Sequence, residues 1–186
     1  MLRRDGIEAL LRRVDNEPII ANLGSATFDL YGIDDRDGNF YTFGAMGLVS
    51  SIGLGVALAS PDRKVFVTDG DGSLLMNLGS LATIARQAPA NLVHITWDNG
   101  MWYETGGQPT HTSTGTDLGG VARASGIACV ARVETLEQFE EALDQAIRED
   151  GPWFIHVLVE EPPGKMSRPV VAPEENLLRF RRLMMG

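Results

Sequence analysis

Cysteine is almost absent: Cys129 is the only one in 186 residues. A lone thiol excludes a disulfide framework and a metal site built on paired cysteines. It stands in the apolar run Ile127-Ala128-Cys129-Val130, which reads as a buried strand. Positive charge is scarce too: 16 Lys and Arg against 25 Asp and Glu leave a net −9, with no basic stripe. Nucleic acid is therefore not an expected partner, and a polyanionic ligand must be held by a cation and backbone N–H groups. No run reaches the ~18 apolar residues of a membrane span, and Met1-Leu2-Arg3-Arg4-Asp5 has no apolar signal core. The expectation is a cytoplasmic protein with no membrane segment. Low-complexity segments are missing, and a 44% hydrophobic composition allows one globular domain over 1–186 with a sizeable core.

What is present alternates between two periodicities. Ile7, Leu10, Leu11 and Val14 repeat at helical spacing, and Pro18-Ile19-Ile20-Ala21 reads as a strand. After a Gly- and Asp-rich loop over 32–38, a helix is expected near 47–59, then strand 64–68, helix 74–86 and strand 91–96. A long loop over 98–116 precedes a helix at 118–124 and a strand at 127–131. Thr135 and Gln138 form a capping-box pattern opening a further helix, and strand 153–159 follows. A Pro-rich segment, 162–173, leads to a last helix over 176–184, expected to pack on the domain or on a partner. Strands alternating with helices predict an α/β fold, a three-layer α/β/α sandwich around a mostly parallel sheet.

Two oxygen-bearing side chains stand at the ends of predicted strands. Asp71, in Asp69-Gly70-Asp71-Gly72-Ser73, follows strand 64–68; Asn99, in Asp98-Asn99-Gly100, follows strand 91–96. One crossover helix separates them, so both face the crevice where open α/β sheets bind ligands. Oxygen ligands suit Mg²⁺, which is held by one or two carboxylates plus substrate phosphates. Gly70 and Gly72 would let backbone approach a diphosphate, and helix-opening N–H groups favour anions. The pair reads as a Mg²⁺–diphosphate clamp. Gly53-Leu54-Gly55 is not a dinucleotide fingerprint, because no strand precedes it; small residues there serve close packing.

Gly70-Asp71-Gly72, 25 intervening residues and Asp98-Asn99 resemble the diphosphate-binding motif of thiamine-diphosphate enzymes. The resemblance implies that Asp71, the Asn99 side chain and the Met101 backbone carbonyl ligate Mg²⁺, with Ser73 beside the diphosphate. Phe43-Gly44-Ala45-Met46-Gly47 resembles the same enzymes' earlier segment. There the Gly44 carbonyl would accept from the cofactor's aminopyrimidine, and Met46 would hold the cofactor in its bent form. Gly24-Ser25 fits the early loop whose hydroxyl touches the diphosphate. Asp98 departs from the family, which carries Asn at that position.

The run Thr105-Gly-Gly-Gln-Pro-Thr-His-Thr112, with Asp71-Gly-Ser-Leu-Leu-Met-Asn-Leu-Gly-Ser-Leu-Ala82, is similar to the sulfopyruvate and phosphonopyruvate decarboxylases, over about Leu23 to Pro163. That likeness implies decarboxylation of a small anionic 2-oxoacid: 3-sulfopyruvate to sulfoacetaldehyde, or else phosphonopyruvate, or an acetolactate-synthase-like reaction. A reading of another class is a non-catalytic, cofactor-binding regulatory subunit. His111 is open between meeting a substrate anion and capping a turn; His94 and His156 read as packed, satisfied strand histidines. No pyrimidine-binding domain with its activating glutamate is discernible, and Glu140-Glu141 and Glu174-Glu175 read as solvated helix faces. A pyrimidine-binding partner subunit in a hetero-oligomer is therefore expected, with no catalytic residue certain in this chain.

Overall fold

A computed structural model describes residues 1–160 and 168–186. In chain order these form α1 (Arg3–Leu11), β1 (Ile19–Ala21), α2 (Ser25–Ile33), β2 (Asn39–Tyr41), α3 (Val49–Ala59), β3 (Val65–Gly70) and α4 (Asp71–Leu74). Then come α5 (Gly79–Gln87), β4 (Leu92–Asp98), the short strands β5 (Met101–Trp102) and β6 (Gln108–Pro109), and α6 (Leu118–Ala124). The chain closes with β7 (Cys129–Val133), α7 (Leu136–Arg148), β8 (Trp153–Leu158) and α8 (Pro173–Met185). Of the Pro-rich segment expected over 162–173, positions 162–167 lie outside the described residues.

Six strands pair in the order β2-β1-β3-β4-β8-β7, every pair parallel. Strands in such a sheet are covered on both faces, which is why all of β4 is buried. Ile7, Leu10, Leu30, Phe139 and Leu143, from α1, α2 and α7, pack against Phe66, Val93, Ile95 and Ile155. On the other face Val49, Leu54, Leu74, Leu81, Ile84 and Leu118, from α3 to α6, meet Val65, Val67, Leu92 and Phe154. This is the expected three-layer sandwich. Gly53 is where α3 comes closest to the sheet: a Cβ there would lie 2.1 Å from Val67 Cγ2. Its role is packing, as read from the sequence. The capping box at Thr135 and Gln138 forms in full.

Several elements depart from expectation. α2 and β2 are additional elements on either side of the loop expected over 32–38. The single helix over 74–86 is broken into α4, a 3₁₀ turn at Leu75–Asn77 and α5. There the Asn77 amide leaves the helix surface to donate to the Gly47 carbonyl at 3.0 Å. Cys129 is half-buried rather than buried, because β7 is an edge strand. The other edge, β2, is sealed by α8. Asn176, 1% exposed, accepts from the Tyr41 backbone N–H at 2.9 Å and donates to the Asn39 carbonyl at 2.8 Å. A buried amide thus pairs the groups an edge strand leaves open. Phe180 packs on Phe40, and Arg179 pairs with Asp35. The C-terminal helix therefore packs on this chain's own sheet.

Candidate metal and cofactor site

β1 connects through α2 to β2 on one side, and β2 returns through α3 to β3 on the other, so the winding reverses between β1 and β3. Ligands of open α/β sheets bind outside the carboxyl ends of the strands at this point. A cavity lies there, lined by Asn22 to Ala26 after β1, Asp69 to Ser73 at the end of β3, Trp97 and Asn99 at the end of β4, and Met101 to Thr105, with Met46 and Arg3. Gly24, Ser25, Met46, Gly70, Asp71, Gly72, Ser73, Asn99 and Met101, all singled out from the sequence, share this wall. Gly44 does not: it is exposed, and a Cβ there would meet nothing within 4 Å.

Asp71 is 3% exposed. Its Oδ2 accepts from the Thr110 hydroxyl at 2.5 Å and lies 3.2 Å from the Thr112 hydroxyl. Burial pushes this carboxyl up to about 6; Thr110 pulls the other way, and the nearby Asp98 charge adds to the rise. Burial acts likewise on Asp98, but His156 and Thr112 outweigh it and hold that carboxyl below the usual carboxylate range. His156 Nε2 lies 2.7 Å from Asp98 Oδ2, and Thr112 donates to Asp98 Oδ1 at 2.8 Å.

The same Asp98 Oδ1 accepts from the Gly100 N–H at 3.0 Å, and Asn99 Oδ1 accepts from the Met101 N–H at 3.0 Å. Two side-chain turns in succession hold the chain after β4 in a tight bend, with Gly100 at φ +69°. This bend brings Asn99 and Met101 to the cavity that Asp71 also lines.

The two glycines beside Asp71 have different reasons to be glycine. At Gly72 a Cβ would lie 2.3 Å from Trp102 Nε1, so the indole fills that space. At Gly70 the nearest atom, Asn22 Nδ2, is 3.8 Å away, and the backbone lies open to the cavity. Of the two, only Gly70 leaves that space open. Ser73 ties the two sequence segments together: its Oγ accepts from the Gly47 N–H at 3.0 Å. Ala45, at φ +59°, lies in the left-handed region just before Met46, a conformation that surrounding structure must hold in place. Gly24, at φ +90°, opens α2, and Ser25 Oγ donates to Glu104 at 3.2 Å.

The residues fit a Mg²⁺–diphosphate pair. Asp71 is buried beside a second carboxylate, surrounded by hydroxyls and a backbone N–H. A divalent cation would neutralise it. Among the described residues no group of three or more His, Cys, Asp or Glu forms a metal cage. An ion here would complete its shell with phosphate oxygens and water, as Mg²⁺ does.

His111 lies outside the cavity wall, exposed, its ring edge-on to Trp102 at 5.9 Å. His94 and His156 are both packed inside the sheet as expected, Nε2 of His94 lying 3.3 Å from Asp69 and that of His156 against Asp98, while Nδ1 of each makes no hydrogen bond among the described residues. Thr110, Thr112 and His156 escaped the sequence reading. Thr110 and Thr112 stood in the recognised loop, two apart. His156 lies 58 residues beyond Asp98, and nothing local marked it. The solvated-face reading holds for Glu174 and Glu175, whereas Glu140 pairs with Arg12 and Arg13.

Residues 23–157 match the profile of the thiamine pyrophosphate enzyme C-terminal TPP-binding domain. The chain belongs to this family. Thiamine diphosphate with Mg²⁺ is accordingly the cofactor of this TPP-binding domain. The domain is 42% identical over 189 residues to sulfopyruvate decarboxylase subunit beta of Methanothermobacter thermautotrophicus, covering all of this chain and 97% of that one. It is 44% identical over 179 residues to phosphonopyruvate decarboxylase of Streptomyces viridochromogenes, covering 94% of this chain but only 44% of that protein. The chain thus spans less than half the length of that relative. Among solved structures, the 4-hydroxybenzoylformate decarboxylase of Rhodococcus jostii RHA1 superposes with a TM-score of 0.72 at 22% identity, over 88% of this chain and 33% of that one. At that identity the likeness speaks for the fold. No helix among the described residues is long and apolar enough to cross a membrane.

Proposed function

We propose that this TPP-binding domain is the diphosphate-holding half of a 2-oxoacid decarboxylase, and that 3-sulfopyruvate is its substrate. The overall conversion takes 3-sulfopyruvate and a proton to sulfoacetaldehyde and CO₂. The observation that carries the reading is the convergence of Asp71, Asn99 and Met101 on one cavity at the strand ends. Asp71 and the Asn99 side chain, with the Met101 carbonyl, would hold Mg²⁺. Gly70 would lie under the diphosphate, and Ser25 beside it at the start of α2. Met46, half-buried in the cavity wall, would support the cofactor's bend. When bound, thiamine diphosphate supplies a nucleophilic carbon and an electron sink for loss of the carboxylate.

The second half of the site belongs to a pyrimidine-binding domain. We place that domain on a separate subunit, because a relative named as a beta subunit is matched along 97% of its length. Phe43, Leu48 and Met76, at 47%, 46% and 62% exposure, flank Met46 and Gly44 and offer an apolar face for it. Phosphonopyruvate is the second substrate to consider, since the likeness to phosphonopyruvate decarboxylase is equally close. The experiment is a coupled aldehyde assay of the chain with thiamine diphosphate, Mg²⁺ and either 3-sulfopyruvate or phosphonopyruvate, before and after adding the partner subunit. Turnover of 3-sulfopyruvate only after addition is expected. Turnover without the partner refutes the split site, preference for phosphonopyruvate moves the substrate, and inactivity with both favours a regulatory role.

A further inference from the structure

The departure from family pattern at Asp98 is joined to a buried histidine by an unbroken set of contacts. Asp98 is the last residue of β4 and 6% exposed; His156, on the adjacent β8, is 2% exposed. An ionised carboxylate only accepts, so His156 Nε2, 2.7 Å from Asp98 Oδ2, presents its N–H to it. His156 Nδ1 is turned toward Asp117 Oδ1 at 3.8 Å. This contact fixes the carboxylate's rotation, and the opposite oxygen then does two things. Asp98 Oδ1 accepts from the Gly100 N–H, which closes the bend carrying Asn99 and Met101, and from the Thr112 hydroxyl. Thr112 in turn reaches Asp71 Oδ2 at 3.2 Å and contacts the Thr110 hydroxyl at 2.8 Å. All three groups proposed to hold the metal are thus oriented through one carboxylate.

We propose that His156 is a positioning residue for the metal clamp, acting through Asp98 and Thr112 on Asp71, Asn99 and Met101. This rests on the reading of Asp71 as a metal ligand. Without the imidazole, Asp98 keeps a buried charge with one oxygen unpaired, and its escape toward solvent releases Gly100 and Thr112 together. Partners of this kind, one step behind metal ligands, typically change affinity by about 10–100-fold when removed.

The test is Mn²⁺ binding, which suits the same oxygen ligands, followed by the EPR signal of the free ion. The full chain, assembled with its partner and thiamine diphosphate, is compared with His156→Phe, His156→Gln, Thr112→Val and Asp71→Ala. His156→Phe and Thr112→Val should each weaken Mn²⁺ by about tenfold or more. The double variant should be no worse than the weaker single, since both cut one connection. His156→Gln, whose amide can still donate, should retain most of the affinity at an unchanged melting temperature. Wild-type affinity in His156→Phe, or a loss in His156→Gln as large as in the phenylalanine variant, overturns the inference. Should the phenylalanine variant not fold, Thr112→Val and His156→Gln decide in the same way. Undiminished affinity in Asp71→Ala instead overturns the clamp reading, and the inference falls with it.

Discussion

Gly70 and Gly72 flank the same aspartate, yet substitution should separate stability from cofactor binding. In Gly72→Ala the new methyl would sit 2.3 Å from Trp102 Nε1 and 2.5 Å from Cδ1. Non-bonded heavy atoms prefer about 3.5–4.0 Å, so the indole must move by roughly 1 Å. Overpacking of this kind costs ~1–3 kcal/mol. Trp102 follows Met101, whose carbonyl is assigned to the metal, and metal–ligand distances tolerate only about 0.2 Å. Gly72→Ala should therefore melt several degrees lower and lose Mg²⁺ affinity as well. In Gly70→Ala the methyl meets only Asn22 Nδ2 at 3.8 Å, on ordinary extended backbone at φ −116°. Its melting temperature should match wild type or rise slightly, since alanine restricts the unfolded chain by about 0.4–1 kcal/mol. Thiamine diphosphate affinity should nevertheless fall, because the methyl occupies the space a diphosphate needs. Calorimetric titration of the cofactor beside differential scanning calorimetry reads both quantities. Wild-type cofactor affinity in Gly70→Ala would refute the placement of the diphosphate over that backbone.

Met46→Ala should reduce turnover per folded molecule more than cofactor affinity; equal losses in both would make Met46 a packing residue only. Its stability cost should fall below the ~2–5 kcal/mol of a fully buried methionine, since Met46 is only half-buried. Asn176→Ala removes both partners of the β2 edge, and each orphaned buried group costs ~1–3 kcal/mol. The melting temperature should drop by roughly 5–15 °C with Mg²⁺ affinity per folded molecule unchanged, checked by the same two titrations. Asp35 is pushed up by burial, but hydrogen bonds from Arg179 and Tyr41 outweigh this and hold it below the usual carboxylate range. A depressed folded pKa contributes stability above the unfolded value of about 3.9 and loses it as pH falls further. Arg179→Met should therefore lose less stability than wild type between pH 5 and 2, followed as melting temperature against pH; parallel curves would sink the assignment.

The parts of this molecule legible in its sequence are those where periodicity and spacing are local. β3 and β4 show as apolar runs, and Asp71 and Asn99 show because a parallel sheet fixes which end of each strand meets the ligand. β2 is three residues long, too short to display any period, and the turn-like run before it hid α2, whose sequence Ser25-Ala-Thr-Phe-Asp-Leu-Tyr-Gly-Ile33 has little amphipathic contrast. The break between α4 and α5 arises from Asn77 reaching a carbonyl 30 positions away. The motif alone accounts for glycine at 72; that Trp102 also fills the space a Cβ would take depends on the fold of a loop. Likewise, Asp98 stood out as a departure, but its meaning depends on His156 and Thr112, which only the folded sheet brings alongside.

The central claim is that Asp71 binds the cofactor through a metal ion. Its most direct test is titration of thiamine diphosphate into the assembled protein with and without Mg²⁺, for wild type and Asp71→Ala. Wild type should bind only with Mg²⁺, and Asp71→Ala should bind under neither condition while melting as a folded protein. Mg²⁺-dependent binding of undiminished affinity in Asp71→Ala would contradict the account.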